Sequence, residues 1–530
     1  MDAARGESSR PLKNFLTSRG GSFLLFALVT LLVFHRALLN DYAYDGTEVM
    51  RRISQPNPVP VSALFSPSQY GLMTGVMSWR PLSLAMFMII DRDLFHANAA
   101  LSHGLNLLVH ALNGWLLFLL ARKLGMRDAM AMFAGLFFLV HPLVSEVVLC
   151  AGFGFDLLAV FFSLLTILFT MRASEGAAID GRYLAAAITA CLLGLAAKEN
   201  AALAVPMAAL IVLVHTRDKR RALITAGLLG ASAAAFVVVW SLFKYGDAPA
   251  RYMGGAGRAL GMGNFLVAFR EIYFKKFLIP WPLRIDYEFQ QAASLADRRV
   301  VEGMFCAGLL LAAGVIASWW RKNILLGAAW IACGFATVSQ IIAVPDPVAE
   351  RFCYMPMAGT ALIAADVVSM ILNSGGRGRA SSTSIGLLEK MAVVLGIIFV
   401  VLLGGLSWRR SLDWRDDTTL NIANWEQPGE KSAKARLTLG ALYLTRAAQA
   451  HSLSDETAAR DWEQKSESSL SPLMKSAPPA EALRMMGVLA LMRGDKDGAR
   501  ELAARALQQE PENPLVQKLA AATGLLPAKK

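Results

Sequence analysis

The chain alternates long apolar blocks with short polar connectors, and the blocks are close to the ~20 residues that a helical membrane crossing needs. They fall at 21–40, 100–121, 129–147, 152–171, 183–198, 200–216, 221–243, 301–319, 324–342, 353–372 and 386–407. The pattern predicts an all-α polytopic membrane protein with about eleven transmembrane helices. Two longer connectors interrupt it. In the first, 40–99, Pro56, Pro58, Pro60 and Pro67 exclude a long helix. Its apolar stretch Pro81–Ile90, bounded by Arg80 and Asp91, is too short to span and fits an interfacial or re-entrant helix. In the second, 244–299, the stretch Phe265–Ile279 carries Arg270, Glu271, Lys275 and Lys276. At about 2.5–3.5 kcal/mol per charge at the bilayer centre, that stretch belongs on the surface.

Past Trp408 the pattern turns soluble. Residues 482–515 place Gly487, Ala490, Gly494, Ala499, Ala503, Ala506 and Pro511 at spacings that fit the tetratricopeptide repeat of about 34 residues. Small residues there let two antiparallel helices pack closely. A second, degraded unit surrounds Leu439, Gly440 and Tyr443, with Pro428 before it, and a Ser/Pro-rich linker at 467–480 separates the two. The expected organisation is therefore a tail (1–20), a membrane domain (21–407) and a repeat-like helical domain (408–530).

Composition agrees with a membrane protein: 17% of residues are charged, against about a quarter in soluble domains, and mean hydropathy is +0.44. A net charge of +12 in a soluble protein would point to nucleic acid. Here the basic residues occupy every second short connector: Arg122, Lys123 and Arg127; Arg172 and Arg182; Arg217, Lys219, Arg220 and Arg221; Arg321 and Lys322; Arg377 and Arg379. No basic stripe with interleaved aromatics exists, so no nucleic-acid partner is expected and the positive-inside rule accounts for the charge. These connectors share a side with the basic N-terminal tail, which lacks a small-residue cleavage site and reads as cytoplasmic, ahead of an uncleaved first span. An odd number of spans then puts the C-terminal domain outside, in the periplasm of a bacterial inner (cytoplasmic) membrane. Cys150, Cys191, Cys306, Cys333 and Cys353 show neither metal-ligand spacing nor a paired framework and read as small buried hydrophobes.

Polar residues inside the apolar blocks carry the chemistry. At the outer ends stand Asp41 and Asp45, then Trp79-Arg80-Pro81, then His103, Asn106 and His110. His141-Pro142, Glu146, Asp156, Lys198-Glu199 and Glu350-Arg351 with Tyr354 follow. Any one of them alone also fits an interfacial anchor. Ionisable groups at membrane depth are costly and face a cavity or a partner, so their gathering on one face describes a polar pocket open to the outer surface. A transporter would put such charges near the midplane, in paired repeats, and this chain has no doubled pattern. A pocket at one face suits an enzyme acting on a lipid-linked substrate. Arg and Lys would hold the lipid phosphate, and a carboxylate would act as general base on an incoming hydroxyl.

The elements Tyr44-Asp45, Trp79-Arg80-Pro81, His103-x-x-Asn106-x-x-x-His110 and His141-Pro142-x-x-x-Glu146 occur in one order with Asp156, Lys198-Glu199 and Pro206. Glu350-Arg351-Phe352-x-Tyr354-x-Pro356-x-x-Gly359 completes the series. Together they resemble the transmembrane and tetratricopeptide-repeat-containing O-mannosyltransferases and their bacterial relatives of the GT-C class, over nearly the whole chain. The resemblance implies a polyprenyl-phosphate-linked sugar as donor and inverting transfer to an acceptor hydroxyl on the non-cytoplasmic face. The acceptor is a protein Ser or Thr, a surface glycan or a lipid, with the C-terminal repeats available to dock it. It implies Asp45 as catalytic acid/base, Glu146 on the acceptor side, and Lys198, Arg351 and Arg80 as phosphate ligands. His103, His110, His141, Asp156, Glu199, Glu350 and Tyr354 would line the pocket, and Asp41 reads as a helix-end cap. Two departures stand out. The family has two consecutive acids in the first loop, where this chain has Asp45-Gly46. The family's Gly-Arg-Ala-Asp is here Phe153-Gly154-Phe155-Asp156, without the arginine.

Some enzymes of this class use Mg2+ or Mn2+, for which Asp41, Asp45 and Glu146 offer oxygens. Lipid-monophosphate users often need no metal, and none is assigned. An oligosaccharide ligase or polymerase using a lipid-pyrophosphate donor is the alternative enzyme, carried by the arginines of 244–299. A lipid flippase or assembly scaffold is the alternative outside enzymes.

Overall fold

The computed structural model describes residues 15, 17–54, 60–66, 79–216, 218–242, 257–341, 344, 348–374, 382–428, 431–475 and 477–527. The expectations for Pro56, Pro58, Pro67, Arg217, Arg377, Arg379 and most of the 1–20 tail lie outside these residues, as does 243–256 of the second connector. All regular structure among the described residues is helical. The chain divides into two compact units, Met1–Leu283 with Gln291–Asp417, and Arg284–Gln290 with Thr418–Lys530.

In the first unit, helix α1 (Arg19–Phe34) runs into a 3-10 turn (His35–Leu39), and the short α2 (Asp45–Ile53) follows. Helix α3 (Pro81–Ala85) continues as a wider π-helical stretch to Leu94. Then come α4 (Ala99–Lys123), α5 (Asp128–Val140), α6 (Ser145–Leu149), α7 (Gly154–Ala173), α8 (Gly181–Ala197), α9 (Ala204–His215) and α10 (Lys219–Leu242). The remainder is α11 (Arg258–Ala268), α12 (Phe274–Leu278), α13 (Arg298–Ser318), α14 (Lys322–Ala336), α15 (Tyr354–Ser374) and α16 (Ser382–Asp413).

Seven helical segments are long and apolar enough to cross a membrane, eight if α5 and α6, bent by 52° at their junction, count as one. The chain is an integral membrane protein. Each of the eleven apolar blocks coincides with helix, but α8, α14 and the segment Glu199–His215 fall short of a full crossing.

The interruptions have local causes. Proline at 142 holds His141 extended (φ −68°, ψ 128°), and Lys198 is extended at φ −159°, ψ 141°. Pro206, by contrast, sits in the first turn of α9, where no intrahelical N–H is lost. At membrane depth, irregular backbone is tolerated only where protein or a cavity surrounds it. The breaks at 141–144, 150–153, 198–203 and 350–353 are accordingly almost wholly buried.

The last membrane helix runs past the end of the apolar block at Ser407. Helix α16 runs on to Asp413, because the polar residues from Ser407 onward have buried partners. Ser407 Oγ donates to Val140 O at 2.7 Å. Arg410, 1% exposed, lies 2.9 Å from Asp413 and 3.9 Å from Glu350.

In the second unit, α17 (Asp417–Glu426, all but its first residue in this unit) precedes two antiparallel hairpins. They are α18 (Ala433–Ser452) with α19 (Glu456–Leu470), and α20 (Ala480–Met492) with α21 (Lys496–Gln509); α22 (Pro514–Ala522) follows. Gly440 faces Leu470 and Gly487 faces Leu519 so closely that a Cβ would clash. Helix α19 extends four residues into the expected 467–480 linker, since the Ser466 and Ser469 hydroxyls donate to Gly440 O and Lys465 O, both at 2.9 Å.

Candidate active site

Several of the polar residues named from the sequence lie at helix ends opposite a basic turn, whereas His110 sits midway along α4. Helix α4 begins near His103 and ends at Arg122-Lys123. Helix α7 begins near Asp156 and ends near Arg172, and α8 begins at Gly181-Arg182 and leads to Lys198. The helix breaks pack on one another: the turn Pro142–Val144 and α6 meet Glu350–Cys353, and α2 meets Ala151–Phe153.

The acidic turn is held under strain. Tyr44, immediately before Asp45, has φ 58° and ψ −130°, a conformation that costs a non-glycine residue about 1–3 kcal/mol. Its N–H donates to Asp417 Oδ1 at 2.6 Å, and Asp417 Oδ2 accepts the Thr47 hydroxyl at 2.8 Å. Its ring sits edge-on to Phe153 and Trp414. Asp45 is the first residue of α2 and is exposed. It lies close enough to Glu146 for the two carboxylates to feel each other.

Gly46 is where the family pattern has its second acid. A Cβ on Gly46 would lie 3.3 Å from Gly152 N, and a Cβ on Gly152 would lie 2.7 Å from Gly46 N. The two backbones touch there, which leaves little room for a second carboxylate. Asp41 is no helix cap: Asn40 closes the preceding turn, and the Asp41 carboxylate accepts its neighbour Tyr42's N–H at 2.8 Å.

Three cation–carboxylate pairs stand in the same group of breaks. Glu146, 1% exposed, accepts from the Arg351 backbone N–H at 2.7 Å and from its guanidinium at 2.8 Å. Lys198 donates to Asp156 Oδ1 at 2.5 Å. Arg80 forks onto both oxygens of Glu199 at 2.9 and 2.5 Å. The missing arginine of the Gly-Arg-Ala-Asp segment has a local reason, for a Cβ on Gly154 would lie 2.5 Å from the Met86 methyl and 3.3 Å from Asn106 Oδ1. The two phenylalanines around it serve the cations instead. Arg351 lies 4.8 Å from the Phe153 ring centre, and Arg80 and Lys198 each lie 4.9 Å from that of Phe155. Among the described residues, Asp156 Oδ2 and Asn200 Oδ1 are buried acceptors with no hydrogen-bond partner.

The histidines divide. His103 Nε2 reaches Asp41 O at 3.3 Å, beneath the acidic turn, and its Nδ1 is buried without a partner. His141 Nδ1 accepts the Leu143 N–H at 3.3 Å. His110 and Tyr354 do not line an open pocket. The His110 nitrogens engage Tyr354 Oη and Leu139 O, both at 2.9 Å, and Asn113 donates to Tyr354 Oη at 3.0 Å. That closed network ties α4, α5 and α15 together. Glu350 lies 3.9 Å from the Arg410 guanidinium.

Sequence reasoning missed four contributors. Asp417 lies in the acidic run Asp413-Trp414-Arg415-Asp416-Asp417 after the last span, where only its charge could have drawn attention. Asp91, Ser102 and Tyr42 form a chain under the turn: Ser102 hydrogen-bonds Asp91, and the Ser102 and Tyr42 hydroxyls are 2.9 Å apart. Burial raises the Asp91 carboxyl to about 6.

The metal alternative does not fit. Among the described residues no three His, Cys, Asp or Glu gather as ligands, and both Glu146 oxygens already accept from Arg351. The outer arginines that carried the ligase alternative pair locally, Arg270 with Glu271 and Glu302, and Arg299 with Asp297.

Comparison with protein-family profiles returns no match, and comparison with curated protein sequences returns none.

Proposed function

We propose that this chain is a membrane-embedded glycosyltransferase of the GT-C type. It would move one sugar from a polyprenyl-phosphate carrier to an acceptor hydroxyl on the non-cytoplasmic face. The observation that carries the reading is the exposed Asp45, held by a strained turn next to the Glu146–Arg351 pair. Strain of this kind clusters at working sites, and fixed charges at membrane depth are there for a function.

In this reading Asp45 takes the proton of the acceptor hydroxyl as its oxygen attacks the anomeric carbon. The bond from that carbon to the phosphate oxygen breaks on the opposite face, which inverts the centre. Each cation is oriented by its own carboxylate, so Arg80, Lys198 and Arg351 would meet the leaving phosphate without reorganising. A cavity of about 570 Å³, lined by Phe265, Phe269, Phe277, Leu310, Phe335 and Ile363 among others, suits an isoprenoid chain. Eleven crossings, counting the short helices, would set the basic turns in the cytoplasm and the site outside, and the C-terminal hairpins would act as tetratricopeptide-like units on the acceptor side.

The test is a deletion strain whose extracytoplasmic proteins and surface glycans are compared by mass spectrometry with those of the parent. One sugar should be missing, restored by the wild-type chain and not by Asp45→Asn, which removes only the basic carboxylate. General-base catalysis is worth roughly 10²–10⁴ in rate. Full restoration by Asp45→Asn at normal expression would overturn the assignment.

A further inference from the structure

The segment that follows the last membrane helix is laid along the acidic turn residue by residue. Asn40 Nδ2 donates to Ser411 O at 3.2 Å, and the Asp41 N–H donates to Arg415 O at 2.9 Å. Trp414, fully buried, presents its ring to Tyr44. Asp417 ends the strap and uses both carboxylate oxygens on the turn, one on the Tyr44 N–H and one on the Thr47 hydroxyl. Thr47 Oγ1 also lies 3.0 Å from Tyr42 O, so the hydroxyl joins the start of the turn to its end.

We infer that Asp417 is a positioning residue that holds the Tyr44-Asp45 kink in the geometry in which Asp45 works. The physical case is that the kink is intrinsically unfavourable and its defining N–H would otherwise have no acceptor within its own helix turn. The carboxylate that takes the N–H of Tyr44, the N-cap residue of α2, is supplied from 373 positions away in sequence. A capping box satisfies that donor from the third helical residue, and here that residue is Thr47, whose hydroxyl instead reaches Tyr42 O and Asp417. Asp417 takes the Tyr44 N–H in its place. Its role is to orient, and the proton transfer stays with Asp45. In that last respect the inference rests on the proposed transferase reading.

The experiment uses the full-length protein in detergent, with hydrogen–deuterium exchange read on peptides covering 41–50 and sugar transfer read in parallel. Asp417→Ala should speed exchange of the Tyr44–Thr47 amides by at least about tenfold, as loss of a hydrogen bond to a charged acceptor implies. It should lower kcat while leaving donor KM within about twofold, since an orienting contact acts on the reacting geometry. Asp417→Asn should stay within about threefold of wild type in both readouts: its amide oxygen still accepts the Tyr44 N–H, and its amide NH2 can donate to Thr47 Oγ1. Should Asp417→Ala fail to fold, Thr47→Val removes one of the two contacts, and faster exchange confined to the turn is again the expected result. Unchanged exchange in both Asp417→Ala and Thr47→Val would overturn the inference. So would Asp417→Asn losing as much transfer as Asp417→Ala while its exchange stays slow, because Asp417 would then be acting through its charge. If the wild-type chain transfers no sugar, the transferase reading fails and the exchange results still decide whether Asp417 holds the turn.

Discussion

The Glu146–Arg351 pair lends itself to a quantitative test. Both side chains are buried, 1% and 9% exposed, and the carboxylate receives two hydrogen bonds from Arg351, one from backbone and one from side chain. Breaking a buried pair by removing one partner costs about 3–5 kcal/mol, because the survivor stays desolvated without compensation. Glu146→Gln keeps an acceptor for the Arg351 N–H and strands only the guanidinium, so the lower end of that range applies. Arg351→Met strands the carboxylate and falls in the same range. The double variant Glu146→Gln/Arg351→Met retains the backbone hydrogen bond and buries no charge, with an expected cost of about 1–2 kcal/mol. The coupling between the two sites should therefore exceed about 2 kcal/mol. SDS titration in mixed micelles measures it, with maleimide labelling of the free, fully buried Cys150 and Cys353 as the signal for opening. These thiols flank the two segments that the pair joins. Additive single losses, or a Glu146→Gln variant within about 0.5 kcal/mol of wild type, would refute the assignment of a tight interior pair. The double variant should still be inactive if the pair also orients substrate.

Four further predictions follow from local geometry. Gly152→Ala should cut sugar transfer severely, since its Cβ would stand 2.7 Å from Gly46 N and 2.9 Å from Asp45 C. Gly308→Ala, with nothing within 4 Å of the added carbon, should leave transfer unchanged and add up to about 1 kcal/mol to helix stability. Arg80→Lys loses the two-pronged contact with Glu199 and should weaken donor binding by about tenfold, read as KM with kcat little changed. In the second unit, His451 bonds Glu463 at 2.7 Å, and this contact raises the imidazole above its ordinary value of 6.5. A raised value means the folded state favours the protonated ring, so the contribution is complete below about 6.5 and fades as pH climbs through the raised value. Proteolysis at the α18–α19 turn should accelerate over that interval in wild type relative to His451→Phe, and an identical pH dependence in the two would rule the contact out as a stabiliser.

Much of the fold was legible because membrane helices announce themselves in composition. Each apolar block became a helix, and the positions of Pro142 and Lys198 marked two of the breaks that shape the site. The acidic turn, the three cations and their placement at the ends away from the basic turns could also be read from the order of residues. What remained hidden was partnership. The sequence offers Arg351 and Glu146, or Lys198 and Asp156, as separate charges, and pairing depends on which helix ends meet. His110 and Tyr354 read as pocket residues, yet they close on each other between helices, since burial satisfies polar groups locally wherever a partner is in reach.

The chain's own order of residues was enough for an all-helical membrane protein with an acid just past the end of its first helix, because hydrophobic length and local backbone preference are properties of short stretches. The tertiary structure alone decided that Tyr44 is strained, that Gly46 and Gly152 touch, and that Asp417, 373 residues beyond Tyr44, accepts the N–H of the residue that opens the helix on which Asp45 sits. Hydrogen bonds between distant segments leave no periodic trace in sequence. They exist only once packing has brought the last membrane helix beside the first.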